Sequence, residues 1–213
     1  MNPADAYTLT QHDPRAFTDE EIADAVALRH VLDAEVTPDD PPLPLERALA
    51  AHRSVPERMR RWAFRVRDGG GTLVASAGTS IDPEHDDDPD VLWVAISVHP
   101  DHRRRGIGTR LLAELVDLAR AEERTRVISS SVDVVKGAEA FARAVGADPK
   151  LPQHVNHLEF DDIDRPMLEK WVAEGPSRAP DYELIGWDGP TADEHLEAFA
   201  DLVLVMNSAT RRP

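Results

Sequence analysis

The residues best placed to do chemistry lie in the stretch 93–112, WVAISVHPDHRRRGIGTRLL. Arg103, Gly106 and Gly108 fall in the pattern Arg/Gln-x-x-Gly-x-Gly/Ala, between an apolar run that reads as a buried strand and an amphipathic helix. Glycines at a helix start let a ligand approach the main chain, where the first backbone N–H groups have no intrahelical partner. The helix dipole adds about 0.3–1 kcal/mol for an anion at that end. Arg103, Arg104 and Arg105 form the one basic cluster positioned for a phosphate-rich ligand. The chemistry to expect is anion docking on backbone N–H groups. By themselves the same residues would equally make a flexible helix start with solvated arginines, and the flanking elements tip the reading toward docking.

Other groups carry weaker signals. Asp82, Glu84, Asp86, Asp87, Asp88 and Asp90 crowd one loop. They could supply a base or attract a cationic amine, but a charge run reads first as a solvated hairpin tip. His99 and His102, and again His154 and His157, stand three apart without an evident third ligand, so no metal site is expected. Ser129, Ser130 and Ser131 end a strand with no His and Asp arrangement that would make any of them a nucleophile.

The elements that must position these residues follow from periodicity and punctuation. Residues 7–10 read as a strand, and 18–36 as a helix opened by a capping box, Thr18 with Glu21. A proline-broken stretch precedes a helix near 45–52. In 61–67, Trp62, Phe64 and Val66 alternate with Arg61, Arg65 and Arg67, the period of a strand with one buried face. Residues 72–81 and 91–98 continue an antiparallel meander, and 105–122 form an amphipathic helix with Ile107, Leu111, Leu115 and Leu118 on one face. A strand at 126–132 and a helix at 138–145, closed by Gly146, complete a parallel strand–helix–strand crossover. The fold class expected is α+β (mixed α/β), a central mixed sheet flanked by helices. A last strand at 156–160 and a short helix at 167–173 are expected beyond it.

Composition bounds the rest. The chain has 213 residues, 24 Lys+Arg against 40 Asp+Glu, a net charge of −16, nine His and no Cys. The missing Cys removes disulfides, thiolate zinc sites and a Cys nucleophile, and the acidic balance argues against nucleic-acid binding. No secretory signal and no apolar span of membrane length is present, so a cytoplasmic protein with no membrane partner is expected.

With its flanking elements, the segment 93–112 resembles the acyl-CoA pyrophosphate loop of the GNAT superfamily of N-acetyltransferases, and the order of elements from 18 to 160 resembles that fold. The resemblance implies acetyl-CoA as acetyl donor. It implies that the backbone around Arg104, Arg105, Gly106, Ile107, Gly108 and Thr109, opened by Arg103, binds the pyrophosphate. It also implies that main chain at Ile96, Ser97 and Val98 pairs with the pantetheine arm. The implied chemistry is direct attack of a neutral amine on the thioester, with a general base, usually a carboxylate, and an acid for the thiolate. This chain departs from the pattern at both groups. Residues 91–98 contain no Glu or Asp, and Ala142 follows Phe141 where many members have Tyr. No catalytic residue is assigned, and positioning with main-chain donors near Val98 is left to carry the reaction. The expected function is N-acetylation of a primary amine on a small molecule; a degenerate acyl-CoA-binding or structural half is the other reading, and a fragment that binds no cofactor a third.

The pieces HLEFDDIDRPMLEKWV and YELIGWDGPTADEHLEAFADL resemble the junction in tandem-GNAT proteins related to mycothiol acetyltransferase. Tyr182 and Leu184, then Asp188, Pro190 and Thr191 with Glu194, echo Tyr7, Leu9, Asp13, Pro14 and Thr18 with Glu21. Two unrelated strand-and-helix units with common start signals would look the same. The domains expected are 1–165, an acetyltransferase domain; 166–181, a linker with a short helix; and 182–213, the first strand and helix of a second unit. The end of the last helix is apolar all round, so residues 182–206 are expected to pack on the first domain or on a second copy.

Overall fold

A tight turn sets the meander: Asp68 accepts hydrogen bonds from the N–H groups of Gly70 and Thr72, both at 3.0 Å, and Gly71 takes φ +86°. In the computed structural model, which describes residues 6–86, 88–156 and 158–209, this turn joins β2 (Arg60–Arg67) to β3 (Leu73–Ile81). With β1 (Thr8–His12), β4 (Val91–Val98) and β5 (Arg126–Ile128) they form one sheet in chain order. The first three pairings are antiparallel and β4 with β5 is parallel, the mixed α+β sheet expected.

Register explains the core. Phe64 sits opposite Ala77, and Ala77 opposite Ile96; Val66 sits opposite Ala75, and Ala75 opposite Val98. This row meets Ile107, Leu111, Leu115 and Ala119 of α3 (Ile107–Ala121), all buried. Each fully buried leucine contributes roughly 1.5–3 kcal/mol. The other face carries Arg61, Arg65 and Arg67. It was expected to lie in water, but α1 (Asp19–Val36) covers it: Arg67 reaches Asp24 at 2.6 Å and Arg65 is 3% exposed. The capping box that starts α1 is formed, Thr18 Oγ1 accepting from Glu21 N–H at 3.2 Å and Glu21 accepting from Thr18 N–H at 2.9 Å. α2 (Leu45–Arg53) and α4 (Lys136–Ala144) complete the unit, and Gly146 with φ +85° follows α4.

The chain divides into two compact units, Met1–Gly146 and Ala147–Pro213. The second contains α5 (Arg165–Arg178), capped by Asp164, and α6 (Asp193–Ala209). Several expectations are corrected here. The strand expected over 126–132 stops at Ile128. No strand forms at 156–160 among the described residues; a 3-10 turn occupies Phe160–Asp162. Residues 182–184 are not a strand either, because a strand exists only where a neighbour accepts its ladder and neither segment has one. The helix expected at 167–173 runs the full 14 residues of α5 through Pro176, whose missing N–H removes only one bond near the helix end.

Candidate functional site

The parallel strands part company early. β5 pairs Val91, Leu92 and Trp93 with Arg126, Val127 and Ile128 and goes no further. Among the described residues β4 is paired only with β3 from Val94 onward, so Ile96, Ser97 and Val98 lie on a stretch of β4 whose other edge has no described sheet partner. An extended chain fits such an edge.

The loop after β4 is shaped by two left-handed residues. A 3-10 turn, Pro100–His102, leads to Arg104 at φ +61° and Gly106 at φ +81°, and the first helical bond runs from Arg110 N–H to Gly106 O at 3.1 Å. Among the described residues the N–H groups of Arg104, Arg105, Gly106, Ile107, Gly108 and Thr109 make no hydrogen bond. They form the anion-ready end of α3. Gly106 is required by its φ. Gly108 is where α4 comes close, since a Cβ there would lie 3.5 Å from the Phe141 ring.

The three arginines divide their work. Arg103 grips Glu35 of α1 with both Nη atoms, at 2.7 and 2.5 Å, and gives Nε to Val98 O at 3.1 Å. Hydrogen bonding to Glu35 raises the Arg103 pKa, and hydrogen bonding to Arg103 lowers that of Glu35. Arg105 donates to the Tyr7 hydroxyl at 2.8 Å and to Asp101 O at 2.9 Å, and Tyr7 meets His102 Nδ1 at 3.0 Å. In these contacts Arg103 and Arg105 brace the loop. Arg104 is exposed and has no partner among the described residues.

Beyond the free stretch of β4, on the face toward α1, lies a cavity of about 450 Å³ lined in part by Phe17, Arg61, Ala63, Trp93, Val94 and Ala95. A smaller chamber of about 250 Å³ shares Phe17 and Arg61 and adds Arg29, His52 and Arg65. Neither is lined by Asp or Glu among the described residues. The Arg65 guanidinium lies 3.7 Å from the Phe17 ring centre and gives Nη2 to Glu21 O at 3.0 Å. Its Nη1 is buried without a hydrogen bond, 3.9 Å from Glu21 Oε1, and burial pushes its pKa down. Sequence reasoning missed this pocket, although the alternating arginines of β2 signalled one cationic face.

The acidic loop is solvated at Glu84 and Asp88, as expected, and fastened at Asp82, Asp86 and Asp90. Asp82 accepts from Arg58 Nε and Nη2, each at 3.0 Å, which is the main reason its pKa falls to about 2. Asp86 takes both Nη atoms of Arg124, and Asp90 takes Arg126 Nε at 2.8 Å. Asp87 lies outside the described residues. Asp82, Glu84 and His85 have ligand atoms within 4.8 Å of one another, but Arg58 already bridges the two carboxylates. His99 accepts from Asp101 N–H at 3.2 Å and rests edge-on against His102. His157, partner of the second histidine pair, lies outside the described residues, and Ser129, Ser130 and Ser131 are exposed coil after β5.

A parallel pair that ends at Trp93, followed by an anion-ready helix start, gives this sheet a free edge and a phosphate-sized dock side by side. The model of the Acetyltransferase (GNAT) family matches residues 25–147, and the chain belongs to that family, whose acetyl donor is acetyl-CoA. Among solved structures it is similar to an aminoglycoside acetyltransferase from an uncultured soil metagenomic sample, crystallised with trehalose, at 11% identity and TM-score 0.54 over 73% of this chain and 99% of that one. It is also similar to a ribosomal-protein-alanine N-acetyltransferase from Brucella melitensis biovar Abortus 2308 at 19% identity and TM-score 0.51, over 72% and 100% of the two chains. An acetyltransferase from Trypanosoma brucei aligns at 18% identity and TM-score 0.51, over 71% and 100%. These likenesses show the fold. A search of curated protein sequences returned no match. No described helix is long and apolar enough to cross a membrane.

Proposed function

We propose that this protein is an N-acetyltransferase that transfers acetyl from acetyl-CoA to a primary amine on a small molecule. One observation carries the reading: the unpaired N–H groups of residues 104–109 follow a strand whose edge is free from Val94 on, and a cavity opens beside that strand. Bound there, acetyl-CoA supplies a thioester; the amine nitrogen gains the acetyl group as the C–S bond breaks, and CoA leaves as the thiol with the amine's proton. Main chain from Arg104 to Thr109, with the free Arg104 side chain, holds the pyrophosphate. Ile96, Ser97 and Val98 align the pantetheine arm, and main-chain donors near Val98 polarise the thioester carbonyl. Phe17 and Trp93 shelter the acceptor from water. With no carboxylate in the cavity, positioning is the chain's main contribution, a factor worth up to roughly 7–11 kcal/mol of barrier. A cytoplasmic setting goes with the Cys-free sequence.

Thermal shift with acetyl-CoA, followed by thiol release against a panel of amines, tests this. Saturation at about 100 times Kd adds roughly 2.7 kcal/mol of stability, easily seen as a raised Tm. No shift at millimolar acetyl-CoA removes the reading. A shift without amine-stimulated release supports the second reading, a degenerate binding half, which Ala142 after Phe141 and the carboxylate-free cavity favour. In either case residues 1–165 form the GNAT domain, 166–181 the connection, and 182–213 the opening of a second unit of tandem-GNAT type, related to mycothiol acetyltransferase. Cover for 182–206, from the first domain or from a second copy, completes that proposal.

A further inference from the structure

The chain is strongly acidic, yet the cavity beside β4 is walled by cations. Arg29, His52, Arg61 and Arg65 line the smaller chamber, and no carboxylate lines either chamber among the described residues. Two of these charges are answered from outside the cavity: Arg29 bonds Asp33 at 3.0 Å, and Arg65 lies 3.9 Å from Glu21. The Arg61 side chain, which belongs to both chambers, has no hydrogen bond or ion pair among the described residues.

We propose that the acceptor is a small amine that also carries an anionic group, a carboxylate or phosphate, and that Arg61 binds that group at the junction of the two chambers. This rests on the acetyltransferase reading above and names its substrate class. Arg65, in the smaller chamber with Arg61, is a second, buried source of positive potential: its side chain is almost wholly enclosed, stacked on Phe17, with Nη1 lacking a hydrogen bond. A buried guanidinium short of one partner is destabilising by itself, and a ligand anion in the adjoining chamber offsets that cost. Placement favours the same polarity for the acceptor. Arg61 pairs with Ser80 across β2 and β3, and β4, with Trp93 and Val94 in the cavity wall, is the next strand. Two strand spacings, about 10 Å, separate the backbone of Arg61 from that of Trp93, just before the free β4 edge begins. An acceptor anchored by its anion at Arg61 therefore presents its amine toward β4. A polycationic acceptor meets repulsion in the same cavity.

The test uses the full chain and matched probes: β-alanine against 3-aminopropanol, aminoethyl phosphate against ethanolamine, and one aminoglycoside. Each is titrated into CoA-saturated protein by tryptophan fluorescence, since Trp62 and Trp93 line the larger chamber, and each is assayed for thiol release with acetyl-CoA. The expected result is at least tenfold tighter binding, and a correspondingly lower KM, for one anionic member than for its neutral match; the better pair tells carboxylate from phosphate. Arg61→Gln should erase that preference and Arg61→Lys should restore part of it, in variants whose Tm shows them folded. Equal binding of charged and neutral members, tighter aminoglycoside binding, or a preference that survives Arg61→Gln overturns the proposal. Because binding is read separately from turnover, a protein that binds the anionic amine yet releases no thiol fails the transferase reading and keeps this one. No shift with acetyl-CoA, with the preference intact, does the same.

Discussion

Gly106 matters to the loop through its backbone, Gly108 through its neighbour. A side chain at φ +81° costs about 1–2 kcal/mol, so Gly106→Val should lower Tm by several degrees and abolish the acetyl-CoA shift. Gly108→Ala meets Phe141 at ordinary contact distance and should fold normally. If Gly106→Val keeps the full shift, the loop does not hold the pyrophosphate. Glu35 offers a second probe, because it braces Arg103 from a distance of 68 residues in sequence. Glu35→Gln leaves a part-buried guanidinium half-answered, an expected loss of about 1–3 kcal/mol. The acetyl-CoA shift should shrink with it if the brace shapes the loop, and calorimetric titration would show whether affinity or only stability moved. The glycine spacing was legible in the sequence, since it is local. Glu35 and the free state of Arg61 were not, because each depends on which distant element lies opposite.

At the scale of elements the same division holds. The meander and α3 were legible because alternation and a 3.6-residue stripe are written within single segments, and Thr18 with Glu21 marked the start of α1 to the residue. Apolar alternation at 156–160 and 182–184 suggested strands too, but a ladder needs an edge to join, and periodicity is silent about partners. Likewise nothing in β2 announces that α1 roofs its arginine face. α6 carries this argument to a prediction. Leu196, Phe199, Leu202 and Val203 are all more than two-fifths exposed. A helix with this much bare apolar surface is expected to find cover. Sedimentation should show association that rises with concentration, and Leu202→Glu with Phe199→Glu should weaken it. Trypsin trimming of the segment with no change in solubility or Tm would argue that it covers nothing.

For the whole molecule, charge acts through two opposed terms as pH falls. The net charge of −16 repels itself at pH 7, and the approach to the isoelectric point near 4.9 relieves that repulsion, so stability should hold or rise between pH 7 and about 5. Below that the fastenings give way. Glu21, Glu35, Asp82 and Asp86 all have lowered pKa values in the folded chain, Asp82 at about 2. The unfolded chain therefore binds more protons than the folded one across this window, and stability must fall as pH drops below about 4 toward 2. Urea unfolding from pH 7 to pH 2.5 should trace a plateau or shallow maximum near pH 5 followed by a steep acid limb. Asp82→Asn, which removes the most depressed of these carboxyls, should make that limb shallower while lowering stability at neutral pH. Stability that stays flat down to pH 2.5, with no acid limb, would mean that the acidic loop is held by packing and that Arg58, Arg124 and Arg126 are incidental to it.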